Sequence, residues 1–207
     1  MNPERWGVLG GVFDPIHYAH LVIAQQTLEA LDLDRVLFVP AGVPVHRDPA
    51  RAAAEDRVRM IELAIADNPK FTLSRFEVDG DSPGYSADTV AGLAQQRPWN
   101  SYVFIMSAEA AAFLPTWHEP GRLIDLAEIA VVPRLGYANI SREWLEARFP
   151  GRTERFSFVE TSNLGHSSSD IRVRIASSRS IRYLVPPAVE SYIGDHHLYG
   201  AHDRPAV

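Results

Sequence analysis

The sequence predicts a Rossmann-like α/β fold, doubly wound around a mostly parallel sheet with helices on both faces, and three observations support this. Apolar runs of strand type alternate with helical periodicity five or six times along the 207 residues. Such alternation implies a parallel sheet covered on both sides, and right-handed crossovers then favour the doubly wound arrangement. No internal repeat or low-complexity linker interrupts the chain, so a single domain spans 1–207, with a helical C-terminal part from about 163 to 200. Hydrophobic residues make up 46% and charged residues 22%, the balance of a soluble protein with a large core.

The elements follow in order. "WGVLG" (6–10) is the first strand. The helix from about 18 to 31 places Leu21, Ile23, Ala24, Leu28 and Leu31 on roughly a 3.6-residue period. "RVLFVPA" (35–41) is a buried strand stopped by Pro40 and Gly42. A helix over 53–67 turns Val58, Ile61, Leu63 and Ile65 inward and ends at "DNP". "FTLSRFEVD" (71–79) alternates as a strand, and "SADTVAGLAQQ" (86–96) is a helix with Ser86 as its N-cap. "SYVFIMS" (101–107) and "EIAVVPR" (128–134) are apolar strands. A short helix at about 141–149 leads into the strand "RFSFVET" (155–161), and helices near 168–176 and 186–194 close the chain. "AGVPVHRDPARAAAED" (41–56), rich in Pro, Ala and charge, is the expected flexible segment.

Composition narrows the function. A net charge of −6 argues against a nucleic-acid binder, which would carry a basic stripe, but not against a small phosphorylated ligand. With no cysteine there is no disulfide, thiolate metal site or cysteine nucleophile. "MNPERW" lacks the basic and apolar pattern of a signal peptide, and no apolar run approaches the roughly 18 residues that would span a membrane. The expectation is a cytoplasmic protein. Lys70 is the only lysine, so phosphate binding must lean on Arg, His and backbone amides.

The chemistry concentrates in "GGVFDPIHYAH" (10–20), just past the first strand, where open α/β sheets bind ligands. Gly10 and Gly11 allow a sharp turn and close approach of a ligand. A helix beginning near Tyr18 aims free amides and its positive dipole end at an anion. His17 and His20, three apart, share one helix face and can donate to phosphate oxygens as charge develops in phosphoryl transfer. A metal pair would need further ligands and a second shell. The remaining alternative is a packed turn with incidental histidines.

Five segments in order, "GGVFDPIHYAH", "VPVHR" (43–47), "GYSADT" (84–89), "LPTWH" (114–118) and "HSSSDIRVRIASSRSIRYLVPPAVESYI" (166–193), span nearly the whole chain. They resemble, respectively, the GG[TS]FDP[IV]HxGH signature of the nucleotidylyltransferase superfamily and the PPHK/R, SYTxDT, LPTWx and ISSTxIR segments of bacterial nicotinate-nucleotide adenylyltransferases. The resemblance implies transfer of AMP from ATP to nicotinate mononucleotide, giving nicotinate adenine dinucleotide and pyrophosphate on the route to NAD. In that family no protein nucleophile is used; the acceptor phosphate attacks the α-phosphorus in line, and the protein positions and stabilises charge. Mg2+ rides on the ATP phosphates, with no metal site of the protein's own.

By that resemblance His17 and His20 contact the ATP phosphates, His20 the α-phosphate, with Gly10, Gly11, Val12 and Phe13 lining the nucleotide. Asp14 and Pro15 shape the turn, Asp14 accepting local amide bonds. His46 and Arg47 fold over phosphates from their loop; His17, His20, Arg47 and Arg172 form the catalytic set. Ser167, Ser168 and Ser169 cap a helix whose amides, with Arg172, bind the β- and γ-phosphates; capping alone is their plainer reading. Arg174 and Arg182 are surface or structural. Tyr85, Ser86, Trp117 and His118 form the acceptor site, with Trp117 offering a flat face and amides near Ser86 and His118 recognising the carboxylate. Arg134 binds the mononucleotide phosphate or is a strand-end surface residue. The tail histidines, His196, His197 and His202, belong to a frayed, polar terminus rather than a metal site.

Three departures gather at the ATP side. Val12 replaces Thr or Ser, Ala19 replaces Gly, and Ser107 and Glu109 stand where Gly and Asp are usual near the ATP ribose. They leave two other readings open, a nucleotide-binding homologue with weak or lost transferase activity and an enzyme with another phosphorylated acceptor. Self-association into a homo-oligomer is also left open.

Overall fold

Successive residues of a strand point to opposite faces of a sheet, and this chain uses that alternation to build two separate cores. The computed structural model describes residues 3–42, 49–80, 84–134, 136–137 and 140–200. The strands are β1 (Arg5–Gly11), β2 (Arg35–Pro40), β3 (Phe71–Leu73), β4 (Ser101–Ser107), β5 (Glu128–Val132) and β6 (Phe156–Phe158). They form one sheet in the order β3-β2-β1-β4-β5-β6, with every neighbouring pair parallel. The order reverses beside β1, so a crevice opens between the carboxyl ends of β1 and β4.

Leu9, Val36, Phe38, Val103, Ile105 and Val132 face one side. They pack against α1 (Tyr18–Ala30), α2 (Ala54–Ile65), α8 (Ser168–Ala176) and α9 (Pro187–Asp195). Trp6, Val8, Leu37, Val39, Phe104, Met106 and Val131 face the other. They pack against α4 (Ser86–Gln96), α5 (Ala108–Phe113), α6 (Pro120–Leu126) and α7 (Arg142–Arg148). Both faces of the sheet are therefore covered, as predicted.

Three expectations change. The strand predicted over 71–79 ends at Leu73, because β2 pairs with it only as far as Phe38 and then leaves an edge without a partner. Arg75 then bonds Glu55 and Asp79, and the chain closes into a helical turn, α3 (Phe76–Asp79). Ser86 is the first helical residue of α4, and Tyr85 occupies the N-cap. Finally, α5 and α6, of 6 and 7 residues, are too short to show a period of 3.6.

Candidate active site

The turn after β1 does not use its glycines as the sequence suggests. Gly10 and Gly11 continue the strand, and the left-handed backbone falls at Phe13, with φ of 51°. Phe13 is held there by burial, its ring edge-on to His20 at 4.9 Å and close to Phe38. Openness to a ligand does survive at Gly10, where an added Cβ would meet only the Phe104 ring, at 3.9 Å.

Asp14 is the hub of the turn. Its carboxylate accepts from the amides of Arg51 (2.7 Å) and Ala52 (3.1 Å) and from the Tyr199 hydroxyl (2.8 Å). The amides it accepts are therefore distant in sequence, not local. They also fix the described end of the segment expected to be flexible. His46 and Arg47 lie outside the described residues. Tyr199 is buried, so the chain is not frayed at that point; His202 lies outside the described residues. Behind the turn, buried Arg57 donates to the Val12 carbonyl (2.8 Å) and to the Gly42 carbonyl (3.4 Å), and burial lowers its pKa.

His17 is the N-cap of α1, and its ring stacks on that of His20 with centroids 3.8 Å apart. The His17 amide donates to His20 Nδ1 (3.2 Å). That bond leaves the proton of a neutral His20 on Nε2, making Nε2 a hydrogen-bond donor. His17 is 4% exposed with Nδ1 unpartnered, and burial first, then neighbouring His20, His166 and Arg134, hold its pKa far below the ordinary value. It is neutral at physiological pH. The first-turn amides are not all free, since Tyr18 donates to the Leu184 carbonyl and His20 to the His17 carbonyl, each at 3.0 Å.

The three serines divide their work. Ser167 caps α8 in a reciprocal arrangement with Asp170, whose pKa is lowered chiefly by the Ser167 hydroxyl. Ser168 donates to the Pro15 carbonyl (2.9 Å), and Ser169 accepts from Arg172 (3.1 Å). Arg172 donates to the Asp14 carbonyl (2.6 Å) and lies 3.6 Å from its carboxylate. The N-terminus of α8 is thus fastened to the β1 turn. Across the crevice, Ser107 caps α5 through the Ala110 amide, and Glu109 accepts from Tyr137 (2.9 Å) and faces Arg134 at 3.5 Å. Arg134 therefore stands with Glu109 and near enough to His17 to help lower its pKa. Ala19 is buried.

An aromatic slot lies at the start of α4. Gly84, Tyr85, Ser86, Trp117 and His118 line an open pocket of about 290 Å³. Tyr85 and His118 stack at 4.2 Å, and Trp117 stands edge-on to Phe104. At the start of the same helix, Thr89 donates to the buried carboxylate of Glu77, and its hydroxyl oxygen lies 3.2 Å from the Tyr85 carbonyl. Burial raises the Glu77 pKa. Among the described residues no cluster of three or more His, Asp or Glu could hold a metal ion, and no helix is long and apolar enough to cross a membrane.

The chain thus carries a stacked histidine pair past the end of β1 and an aromatic slot at the start of α4. The profile of the cytidylyltransferase-like family matches residues 8–174. A Roseiflexus protein named as a probable nicotinate-nucleotide adenylyltransferase is 46% identical over 200 residues, covering 96% of this chain and all of that one. This chain belongs to the nicotinate-nucleotide adenylyltransferase family. A Thermomicrobium roseum member of the same name is 40% identical over 95% of this chain and 92% of its own. Among solved structures, the Plasmodium falciparum nicotinic acid mononucleotide adenylyltransferase complexed with NaAD superposes with a TM-score of 0.78. It is 18% identical and covers 95% of this chain and 97% of its own, a likeness of fold.

Four residues beyond the predicted set touch its members or their neighbours: His166 packs on His17, Arg57 donates to the Val12 carbonyl, Glu77 accepts from Thr89, and Tyr199 donates to Asp14. His166 stood next to the serine run and was legible by residue type. Arg57 could be found as a charge on the otherwise apolar face of α2. Glu77 and Tyr199 carry no local signal, because their partners lie 12 and 185 residues away.

Proposed function

We propose that this chain transfers AMP from Mg-ATP to nicotinate mononucleotide in the cytoplasm, releasing pyrophosphate and forming nicotinate adenine dinucleotide. The observation that carries the reading is the stacked pair His17–His20 past the end of β1, with the Tyr85–Trp117–His118 slot at the start of α4 to take an acceptor. ATP lies over the β1 turn with its phosphates toward His20 and the start of α8, where Ser169 and Arg172 supply donors. The acceptor's ring lies on the slot's aromatic faces, with its carboxylate at the first-turn amides of α4. An oxygen of the acceptor phosphate attacks the α-phosphorus; that P–O bond forms as the bond to the β-phosphate breaks, and the electron pair leaves with pyrophosphate. Protein groups orient the reactants and stabilise charge, and magnesium enters as part of the nucleotide substrate.

Selectivity for nicotinate over nicotinamide follows from amide donors, which favour a carboxylate oxygen over an amide nitrogen. The test supplies Mg-ATP with nicotinate mononucleotide, nicotinamide mononucleotide or phosphopantetheine and measures pyrophosphate. Release only, or mainly, with nicotinate mononucleotide is expected. ATP binding without release for any acceptor would establish the sensor reading instead, and a preference for another acceptor would overturn the acceptor assignment.

A further inference from the structure

His166 lies outside the set that the sequence motifs single out, yet it meets the two signature histidines. Its ring sits edge-on to that of His17 with centroids 5.0 Å apart. One ring nitrogen is held by the Leu184 carbonyl, which also accepts the first amide of α1, from Tyr18. The other, Nε2, is buried and has no partner, like the Nδ1 of the His17 ring it faces. His17 is itself more than nine-tenths buried. A buried polar nitrogen costs free energy unless something satisfies it. Two such nitrogens beside the starts of α1 and α8 mark a place where an acceptor of hydrogen bonds is expected to sit.

We propose that His166 is a third phosphate-binding imidazole of this site, its Nδ1–H kept on the Leu184 carbonyl while Nε2, protonated from solvent as the triphosphate arrives, donates to a phosphate oxygen. The inference rests on the adenylyltransferase reading and adds a residue to it. In the free protein, burial keeps the ring toward its neutral form, opposed by Asp170 and by the Leu184 carbonyl. The charged or titratable groups around it are Asp170 on α8, His17 and His20 on α1, and Arg134 after β5. An entering polyanion tips that balance toward imidazolium, because an opposite charge within a few ångströms favours the charged form. The single Leu184 carbonyl holds both His166 and the α1 N-terminus, so the ring is tied to the start of that helix.

The experiment titrates the full chain calorimetrically with Mg-ATP, without acceptor, near pH 7.5 in two buffers of different ionisation heat. Binding by the unaltered protein should be accompanied by net proton uptake. His166→Leu should bind at least about tenfold more weakly, the loss of one charge-assisted hydrogen bond, and lose most of that uptake. His166→Gln, which places an amide near the Nε2 position, should recover part of the affinity with no restored uptake. In turnover, the Leu variant should raise KM for ATP more than it lowers kcat. If His166→Leu does not fold, the loss of uptake in the Gln variant decides the matter. Affinity within twofold and unchanged uptake in a folded variant would overturn the role of His166 alone. An unaltered protein that binds no Mg-ATP would overturn the adenylyltransferase reading with it.

Discussion

At the site, two histidines three residues apart do different things. His17 is buried and neutral, and its amide fixes the His20 tautomer so that Nε2 is a donor. Truncation of His20 removes a group aimed at charge that develops during transfer. His20→Ala should therefore lower turnover by at least ~10²-fold with only a modest change in ATP affinity, as measured by steady-state pyrophosphate release. Equal rates would exclude His20 from the chemistry. His17 has a second consequence, for stability. Its folded-state pKa lies below the ordinary 6.5, so under acid conditions the unfolded chain binds a proton that the folded chain excludes. Stability present above about pH 6.5 is lost as pH falls, by up to about 1.4 kcal/mol per pH unit from this group. Melting temperatures at pH 7.5 and 5.5 should fall less steeply in His17→Asn, which keeps an N-cap residue without the titration.

Elements were legible where their period ran long enough to show. α1, α2, α4 and the core strands were legible because apolar residues recur over ten or so positions, and the nucleotide end of the sheet follows from topology. The strand read over 71–79 failed because alternation cannot show where a neighbouring strand stops offering hydrogen bonds. The motif residues were legible by type, whereas the hub built on Asp14 was not, since its partners come from the approach to α2 and from Tyr199, far along the chain. Helix α4 shows a related limit. Gly92→Ala in its interior would gain about 1 kcal/mol by helix propensity alone. In the fold, however, the new Cβ would lie 2.1 Å from the Phe76 ring, with two further ring atoms at 2.5 and 3.1 Å. That ring packs against the α4 side of the core, so the substitution should instead destabilise by about 1–3 kcal/mol. Urea unfolding gives the sign directly.

Over the whole molecule, the longest reach belongs to one hydrogen bond. The Tyr199 hydroxyl joins Asp14 across 185 residues, in a buried environment. Tyr199→Phe keeps the ring and removes only the donor, leaving a buried carboxylate oxygen short of a partner. Chemical denaturation should register a loss of about 1.5–3 kcal/mol, the range for hydrogen bonds to charged groups; an unchanged midpoint would show that water replaces the phenol. The position of that bond also bears on synthesis. Polypeptides emerge amino end first, so β1 and the Asp14 turn wait, unfinished, for a tyrosine made almost 200 residues later. Until then the Asp14 carboxylate lacks one of the three hydrogen bonds that hold it, and the turn is not locked. A chain that stops short of Tyr199 thus carries the whole nucleotide motif and lacks the contact that sets it, which makes completeness of the polypeptide a condition of competence.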